Sequence, residues 1–194
     1  MSDLANEDLK GTEFQRITKD RCAEYAEMGI AHIGEYGVQG TFFNDKWQPI
    51  QSLPDFEGVA ASGMQFIFDC KVCSQSSFAL APYRDNTTPK GKRFRQLKHM
   101  RTRARFSVPC FFLLHWNARV LVKSSLPPET YIFPIYDNEF WDEFDQAKVQ
   151  SITRDDCDRY GVKVDWNLIG RARTYRPDFF KPVQARIELG YWES

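Results

Sequence analysis

The stretch PDFEGVAASGMQFIFDCKVC, residues 54–73, decides the fold class. Two largely apolar runs, Leu53 to Ala60 and Met64 to Cys73, flank the small residues Ala61-Ser62-Gly63. Runs of this length around a short glycine-bearing segment are typical of a β-hairpin, in which Gly63 supplies the positive φ of the turn. The sequence therefore predicts two antiparallel strands with their turn centred on Ser62.

Two carboxylates face each other across this predicted hairpin. Asp55 and Asp69 are each seven residues from Ser62, which places them directly opposite, and Lys71 follows on the face of Asp69. Like charges opposed at about 4.5–5.5 Å between Cβ atoms destabilise a sheet. A hard cation such as Mg²⁺ offsets that repulsion because it binds carboxylate oxygens. Two carboxylates, a cation and an ammonium are what hydrolysis of a phosphodiester requires, so Asp55, Asp69 and Lys71 are the candidate catalytic residues.

The alternative interpretation is that both carboxylates are ordinary solvated surface groups. Against it, Asp69 and Lys71 lie within the apolar run MQFIFDCKV. Charges in a central strand are costly unless they are paired or bind a metal. The dipeptide Pro-Asp recurs at Pro177-Asp178 without a following acidic-x-Lys, so the dipeptide alone is not specific.

The rest of the chain predicts an α/β protein with a mixed sheet flanked by helices, in one domain over residues 1–194. Residues 9–28 and 94–106 have helical spacing of apolar side chains, residues 108–116 and 131–136 are strand-like, and residues 138–149 form an acidic helix. Thr153 to Asp156 resembles a capping box. Residues 1–8 are expected to be a flexible tail, and the glycine-rich segment from Gly34 to Leu53 an irregular excursion.

The net charge of zero conceals a basic segment. From Arg84 to Lys123 there are eleven basic residues against the single Asp85. Without acidic partners nearby, this charge favours a docked polyanion such as DNA, although a solvated helix face is the simpler alternative. Gln96 within the same helix could also contact a phosphate. The predicted DNA-binding residues are Lys90, Lys92, Arg93, Arg95, Lys98, His99, Arg101, Arg103 and Arg105.

Other classes of protein find little support in the sequence. Five cysteines without regular spacing indicate reduced thiols, and with no secretory signal or apolar membrane span they favour a cytoplasmic location. Cys70 and Cys73 form a C-x-x-C, but residues three apart in a strand face opposite sides and cannot chelate one zinc ion. No Ser-His-Asp arrangement or phosphate-binding glycine loop emerges.

The chain carries an ordered series of motifs that resembles the series in the RecU-type Holliday junction resolvases of the PD-(D/E)xK nuclease superfamily. The series runs through GTEF at residues 11–14, PDFEG at 54–58, FDCK at 68–71, Ser77-Phe78, QLKHM at 96–100 and Ser151-Ile152-Thr153. The resemblance implies a restriction-endonuclease-like fold and a Mg²⁺-dependent homodimer, with Mn²⁺ able to substitute, that nicks branched or four-way DNA.

The resemblance also implies roles for individual residues. Asp55, Asp69 and the backbone carbonyl of Cys70 would bind the metal, and Lys71 would position the attacking water. Supporting roles would fall to Gln96 and to the first helix, where Gln15 stands in place of a frequent glutamate and Glu13 is nearby. A related nuclease for repair, restriction or phage DNA processing, or a DNA-binding protein that cuts little or not at all, remains the alternative.

Overall fold

A six-stranded mixed sheet organises the protein, in the order β1-β4-β5-β7-β10-β12. The computed structural model describes residues 9–36, 40–43, 46–49, 53–84, 91–120, 125–169 and 174–188. Neighbouring strands of the sheet are antiparallel except β5 and β7, which are parallel. The six strands are β1 (Ala31–Glu35), β4 (Phe56–Ala60), β5 (Gln65–Cys73), β7 (Cys110–Trp116), β10 (Glu129–Pro134) and β12 (Val162–Val164).

Helices and small strand pairs complete the described chain. The helices are α1 (Gly11–Glu27), α2 (Lys92–Ala104), α3 (Glu139–Asp145), α4 (Arg154–Tyr160) and α5 (Phe180–Glu188), with a 3₁₀ turn at Ala81–Tyr83. The paired short strands are β2 (Gly40–Phe43) with β3 (Lys46–Pro49), β6 (Ser77–Ala79) with β11 (Ser151–Thr153), β8 (Arg119–Val120) with β9 (Ser125–Leu126), and β13 (Trp166–Ile169) with β14 (Thr174–Pro177). The predicted mixed sheet flanked by helices is confirmed.

The hairpin of β4 and β5 has the predicted register. Phe56 pairs with Phe68 and Gly58 with Phe66, so the centre lies at Ser62, and Gly63 has a φ of 86°. Gly58 is required for a different reason, because a Cβ there would lie 2.6 Å from the Phe66 ring and 2.9 Å from Ile33. The glycine of the PDFEG segment thus allows β4 to pack closely against Phe66 and Ile33.

Two apolar clusters cover the two faces of the sheet. One face packs Phe66, Phe68 and Cys70 against α1 and α5, and Phe68 stacks between Phe56 and Phe111 at centroid distances of 4.9 and 5.1 Å. The other face packs its apolar residues against α2, α3 and α4. Cys70 and Cys73 lie in different clusters, as predicted, and all five cysteines are free thiols.

The segment between β1 and β4 differs from the expected irregular chain. It contains the antiparallel pair of β2 and β3, with Gly40 opposite Pro49 and Phe43 opposite Lys46. The glycines that suggested irregular chain stand next to strands only four residues long, too short for a clear alternation. The expected tail at residues 1–8 lies outside the described residues, as does Lys90.

Two further expectations concern helices. The capping box at Thr153 is confirmed, with the Thr153 side chain and Asp156 bonding reciprocally at the start of α4. Within the described ranges, no helix is long and apolar enough to cross a membrane.

A buried histidine makes the stability of the protein pH-dependent. His115 is 3% exposed, its Nδ1 lies 2.8 Å from the Thr130 hydroxyl, and burial lowers its pKa from 6.5 to about 4. The unfolded chain takes up this proton near pH 6.5 whereas the folded protein does not. The stabilisation is therefore complete above pH 6.5 and is lost as the pH falls toward 4.

We expect the His115→Gln variant to lack this effect. When the pH falls from 7 to 4, the unfolding free energy of the wild type should decrease by about 3 kcal/mol more than that of the variant. Chemical denaturation at a series of pH values measures the difference. The exposed His32 provides the control, and H32Q should follow the wild type. Parallel curves for H115Q and wild type would contradict the assignment.

Candidate active site

The carboxylates of Asp55 and Asp69 each accept a hydrogen bond from the backbone of the opposite strand segment. The Asp55 amide donates to Asp69 Oδ1 at 3.2 Å, and the Cys70 amide donates to Asp55 Oδ2 at 2.9 Å. Asp55 immediately precedes β4, and Asp69 and Cys70 lie within β5. The structure thus brings together the two residues that the hairpin register placed opposite each other.

Asp69 is a fully buried carboxylate. It is 0% exposed, which excludes the interpretation as a solvated surface group. Burial raises the pKa of Asp69 to about 7, the Lys71 ammonium opposes this shift, and the Asp55 charge adds to it. Because burial and a like charge both disfavour the ionised form, this carboxyl needs positive charge close by.

Lys71 supplies part of that charge. Its Nζ forms an ion pair with Asp69 Oδ2, and its side chain is 18% exposed against 0% for Asp69. Although burial acts to lower the pKa of Lys71, the Asp69 charge holds it above the usual range. The lysine is therefore a fixed cation that faces both the carboxylate and the solvent side of the site.

The donor set fits a hard divalent cation. Asp55 and Asp69 offer carboxylate oxygens, and Cys70, which directly follows Asp69 in the chain, offers its backbone carbonyl. Mg²⁺ is held in proteins by one or two carboxylates together with waters and phosphate oxygens. Among the described residues, no group of three His, Cys, Asp or Glu side chains is arranged to hold a metal. The site therefore offers two acidic side chains rather than three.

Within the described chain, helix α1 makes no hydrogen bond or ion pair with the two carboxylates. It packs on the face of the sheet opposite to Asp69 and Lys71. Gln15 and Glu13 are half-buried, and within the described part of the chain no hydrogen bond or ion pair joins either side chain to Asp55 or Asp69. Their supporting role stays a prediction.

Gln96 is an internal residue rather than a surface amide. It is 4% exposed, and its Nε2 donates to the carbonyl of Leu53 at 2.8 Å. The amide is therefore turned inward, where it holds the chain two residues before Asp55, and its contact with a phosphate stays a prediction. On the other side, the Tyr36 amide donates to the Asp55 carbonyl at 2.9 Å. These two bonds fix the backbone on which Asp55 stands.

The basic helix has acidic partners, contrary to expectation. Arg101 makes two bonds to the Asp145 carboxylate of α3, at 2.6 and 2.8 Å, and lies 3.5 Å from Asp137. Arg103 donates to Gln65, and His99 shares a bond of 3.1 Å with Tyr36. The C-terminal half of α2 is thus largely engaged within the protein. Arg105 is exposed, and its Nε lies 4.0 Å from an Asp137 carboxylate oxygen, so this ion pair is a loose one.

The N-terminal half of α2 keeps its charge exposed. Its side chains have no carboxylate partner within the described ranges, there is no acidic residue in the first turn, and no side chain caps the helix. Cations at the positive end of a helix dipole are unfavourable without an anion. The exposed residues of this half are Lys92, Arg93, Arg95 and Lys98.

A cleft opens on the catalytic face of the sheet. Its volume is about 360 Å³, and it lies over the exposed faces of β1, β4 and β5, where helices leave the sheet uncovered. Ile67 lines it, two residues before Asp69 on the same strand, and Arg103 lines it from α2. The cleft thus lies on the face of β5 that carries Asp69, although Asp55, Asp69 and Lys71 are not among the residues that line it.

Two tyrosines of the site went unnoticed in the sequence. Tyr36 bonds both the Asp55 carbonyl and His99, and the buried Tyr83 lies beside Phe112. Neither stands in a recognisable motif. The sequence offers only indirect signals for them. Tyr36 lies near the carboxylate hairpin, and Tyr83 lies in the turn after strand β6.

Comparison with known proteins gives a distant structural likeness. No protein-family model and no curated protein sequence matches the chain. Among solved structures, it is similar to Hjc from Archaeoglobus fulgidus, a Holliday junction resolvase from an archaeal hyperthermophile. The two are 12% identical, the alignment covers 76% of this chain and 93% of that chain, and the TM-score is 0.41. A likeness at this level identifies neither functional residues nor a substrate.

Proposed function

We propose that this protein is a Mg²⁺-dependent DNA endonuclease whose substrate is branched DNA. The observation that carries the proposal is the fully buried Asp69, bonded to Asp55 and paired with Lys71. Burying the Asp69 carboxylate beside the charge of Asp55 is costly, so the pair is not explained by stability. Ionisable groups with perturbed pKa values, such as Asp69 and Lys71, are characteristic of catalytic sites.

The metal site would consist of Asp55, Asp69 and the Cys70 carbonyl. Mg²⁺ or Mn²⁺ bound there would supply the charge that activates water and neutralises the phosphate. The hydrogen bond from the Cys70 amide orients Asp55, and the backbone bonds from Tyr36 and Gln96 hold it in place. Such fixed geometry is the main contribution that a protein makes to a reaction of this kind.

Lys71 and α2 would act on the DNA itself. The Lys71 ammonium, already fixed by Asp69, can donate to the attacking water or to a phosphate oxygen whose charge grows during in-line attack. The exposed cations of α2 would bind backbone phosphates on either side of the cut. Each such contact contributes a slope of about −0.9 to the dependence of binding on salt.

A cleavage assay tests the proposal. Labelled four-way junction and plain duplex are incubated with the protein and Mg²⁺, and parallel reactions contain EDTA. We expect metal-dependent cutting that Asp69→Ala abolishes. Cutting that persists in this variant would rule out the site. Binding without cleavage at any Mg²⁺ or Mn²⁺ concentration would favour a non-catalytic DNA-binding protein, an alternative supported because the described residues bring two rather than three acidic side chains to the site.

The strand pair of β2 and β3 is the segment at which a preference for branched substrate can be tested. The RecU-type enzymes that the sequence resembles carry a stalk between early strands, whereas the segment from Gly34 to Leu53 leaves room in that place for only a short excursion. Tyr36 and Asp55 are joined by a backbone bond, so a short linker can replace residues 38–52. We expect this variant to cut duplex at the wild-type rate but to lose its preference for the four-way junction, measured by competition between the two substrates. Retained preference would exclude the pair from substrate choice.

A homodimer belongs to the same proposal, because two sites are needed to nick a four-way junction symmetrically. Sedimentation of the protein with and without junction measures the subunit number.

A further inference from the structure

Tyr83 lies on the same face of the sheet as the carboxylate pair. It ends the 3₁₀ turn after β6, and its ring centroid is 5.5 Å from that of Phe112. Phe112 is the partner of Asp69 in the parallel register of β5 and β7. Side chains of paired residues stand side by side on one face of a sheet. The Tyr83 ring therefore packs beside the strand position that carries Asp69.

The hydroxyl of Tyr83 is buried without a hydrogen-bond partner in the described chain. The residue is 1% exposed, and no donor or acceptor meets its oxygen. Two other buried tyrosines behave differently, since Tyr25 bonds Asp178 and Tyr131 bonds Asp158, both at 2.8 Å. An unsatisfied buried hydroxyl costs free energy that a phenylalanine would avoid. Its presence points to a partner that joins the site later.

The charges around Tyr83 indicate the kind of partner. Burial raises the pKa of Tyr83, and the nearby Lys71 ammonium opposes that shift more than any other charge. The Arg93 guanidinium lies 6.0 Å from the ring centroid and pairs with no carboxylate within the described ranges. The Asp69 and Asp55 carboxylates act on the phenol in the opposite sense to these cations. The neutral phenol is therefore a donor that lies near two cations and the proposed metal ligands, the groups that a phosphate bound at this site would meet.

We propose that Tyr83 is a further catalytic residue, whose hydroxyl donates a hydrogen bond to a non-bridging oxygen of the scissile phosphate. This inference rests on the proposed nuclease function. Charge on these oxygens increases in the transition state, so a fixed donor accelerates the reaction more than it strengthens binding. Arg93, in the first turn of α2, would hold the same stretch of DNA backbone from the other side of the ring.

Two tyrosine-to-phenylalanine variants test the inference. For Y83F we expect an unchanged or higher melting temperature, an unchanged Kd for catalytically blocked DNA in Ca²⁺, and a single-turnover cleavage rate about tenfold to a hundredfold lower. For Y131F, which loses bonds to Asp158 and Glu129, we expect a lower melting temperature and a wild-type rate. The opposite responses of the two variants separate a catalytic hydroxyl from a structural one.

Each alternative outcome has a distinct meaning. A Y83F protein that cuts like the wild type, or one that melts well below it, would overturn the role of Tyr83 while leaving the nuclease intact. Absence of cleavage by the wild type would overturn the proposed function, and the role of Tyr83 with it.

Discussion

Replacing Asp55 with asparagine is expected to lower the single-turnover rate of DNA cleavage by about a thousandfold or more without unfolding the protein. Asparagine keeps an oxygen that can accept the bond from the Cys70 amide, now at 2.9 Å, so the local backbone is preserved. The charge that would bind the metal is lost. Because the Asp55 charge also raises the pKa of Asp69, removing it relieves repulsion in the metal-free protein. We therefore expect unchanged or slightly greater stability in EDTA.

The second Pro-Asp dipeptide offers a matched control. Asp178 follows Pro177 as Asp55 follows Pro54, but its carboxylate accepts bonds from Arg21 at 3.0 Å and from Tyr25 at 2.8 Å. Asp178→Asn should cost about 1–3 kcal/mol of stability and leave the cleavage rate at saturating metal and DNA unchanged. If the two variants lost cleavage equally, the rate loss of D55N would reflect the fold rather than the metal site.

Replacing Lys71 with methionine is expected to reduce the cleavage rate by about a hundredfold to a thousandfold with little change in DNA affinity. Methionine retains the aliphatic packing but removes the cation that pairs with Asp69. The pKa of Asp69 would then rise further, because Lys71 is the main group that lowers it. A carboxyl that holds its proton is a poorer metal ligand, so the metal concentration for half-maximal cleavage should rise as well.

Lys71→Arg and Lys163→Met separate the effect of charge from that of general damage. Arginine keeps the positive charge, so K71R should cut faster than K71M although its different geometry limits recovery. Lys163 on the edge strand β12 pairs with Glu129 on β10, and the Lys163 side chain is 58% exposed. Removing that surface pair should change stability by no more than about 1 kcal/mol and leave the rate unaltered. Equal rates for K71M and K71R would exclude a role for the charge.

The hairpin and its register could be predicted from the sequence because every constraint on them is local. Gly63 fixes the turn, the side-chain period of two fixes the faces, and the equal spacing of Asp55 and Asp69 from Ser62 follows. The same alternation correctly separated Cys70 from Cys73. Helices α1 and α2 were predictable for a similar reason, since each carries its apolar stripe within one continuous segment.

What the sequence could not supply depends on partners far along the chain. Arg101 pairs with Asp145, which is more than forty residues away in the chain. The residues near Arg101 in sequence therefore gave no sign that its positive charge is balanced by a carboxylate. The depth of Asp69 results from β7, which pairs in parallel with β5 after a long connection. The burial of Gln96 could be predicted locally, because Gln96 precedes Leu97 and lies one turn before Met100 on the buried side of the helix. Its polar side chain, however, favoured the prediction of an exposed position.

The arrangement of the site along the chain has a consequence for how such a protein can diversify. Every group proposed to act on the metal lies between residues 55 and 71, within one hairpin backed by the Phe68 stack. The groups proposed to act on the DNA come from Lys71, from Tyr83 and from α2, and the strand pair before β4 is proposed to affect only the choice of substrate. Under the proposed function, metal binding and substrate choice are thus encoded in separate segments, and insertions or exchanges in one can be selected without disturbing the other. Grafting a different β2–β3 segment onto this frame is then expected to change substrate preference while cleavage is retained.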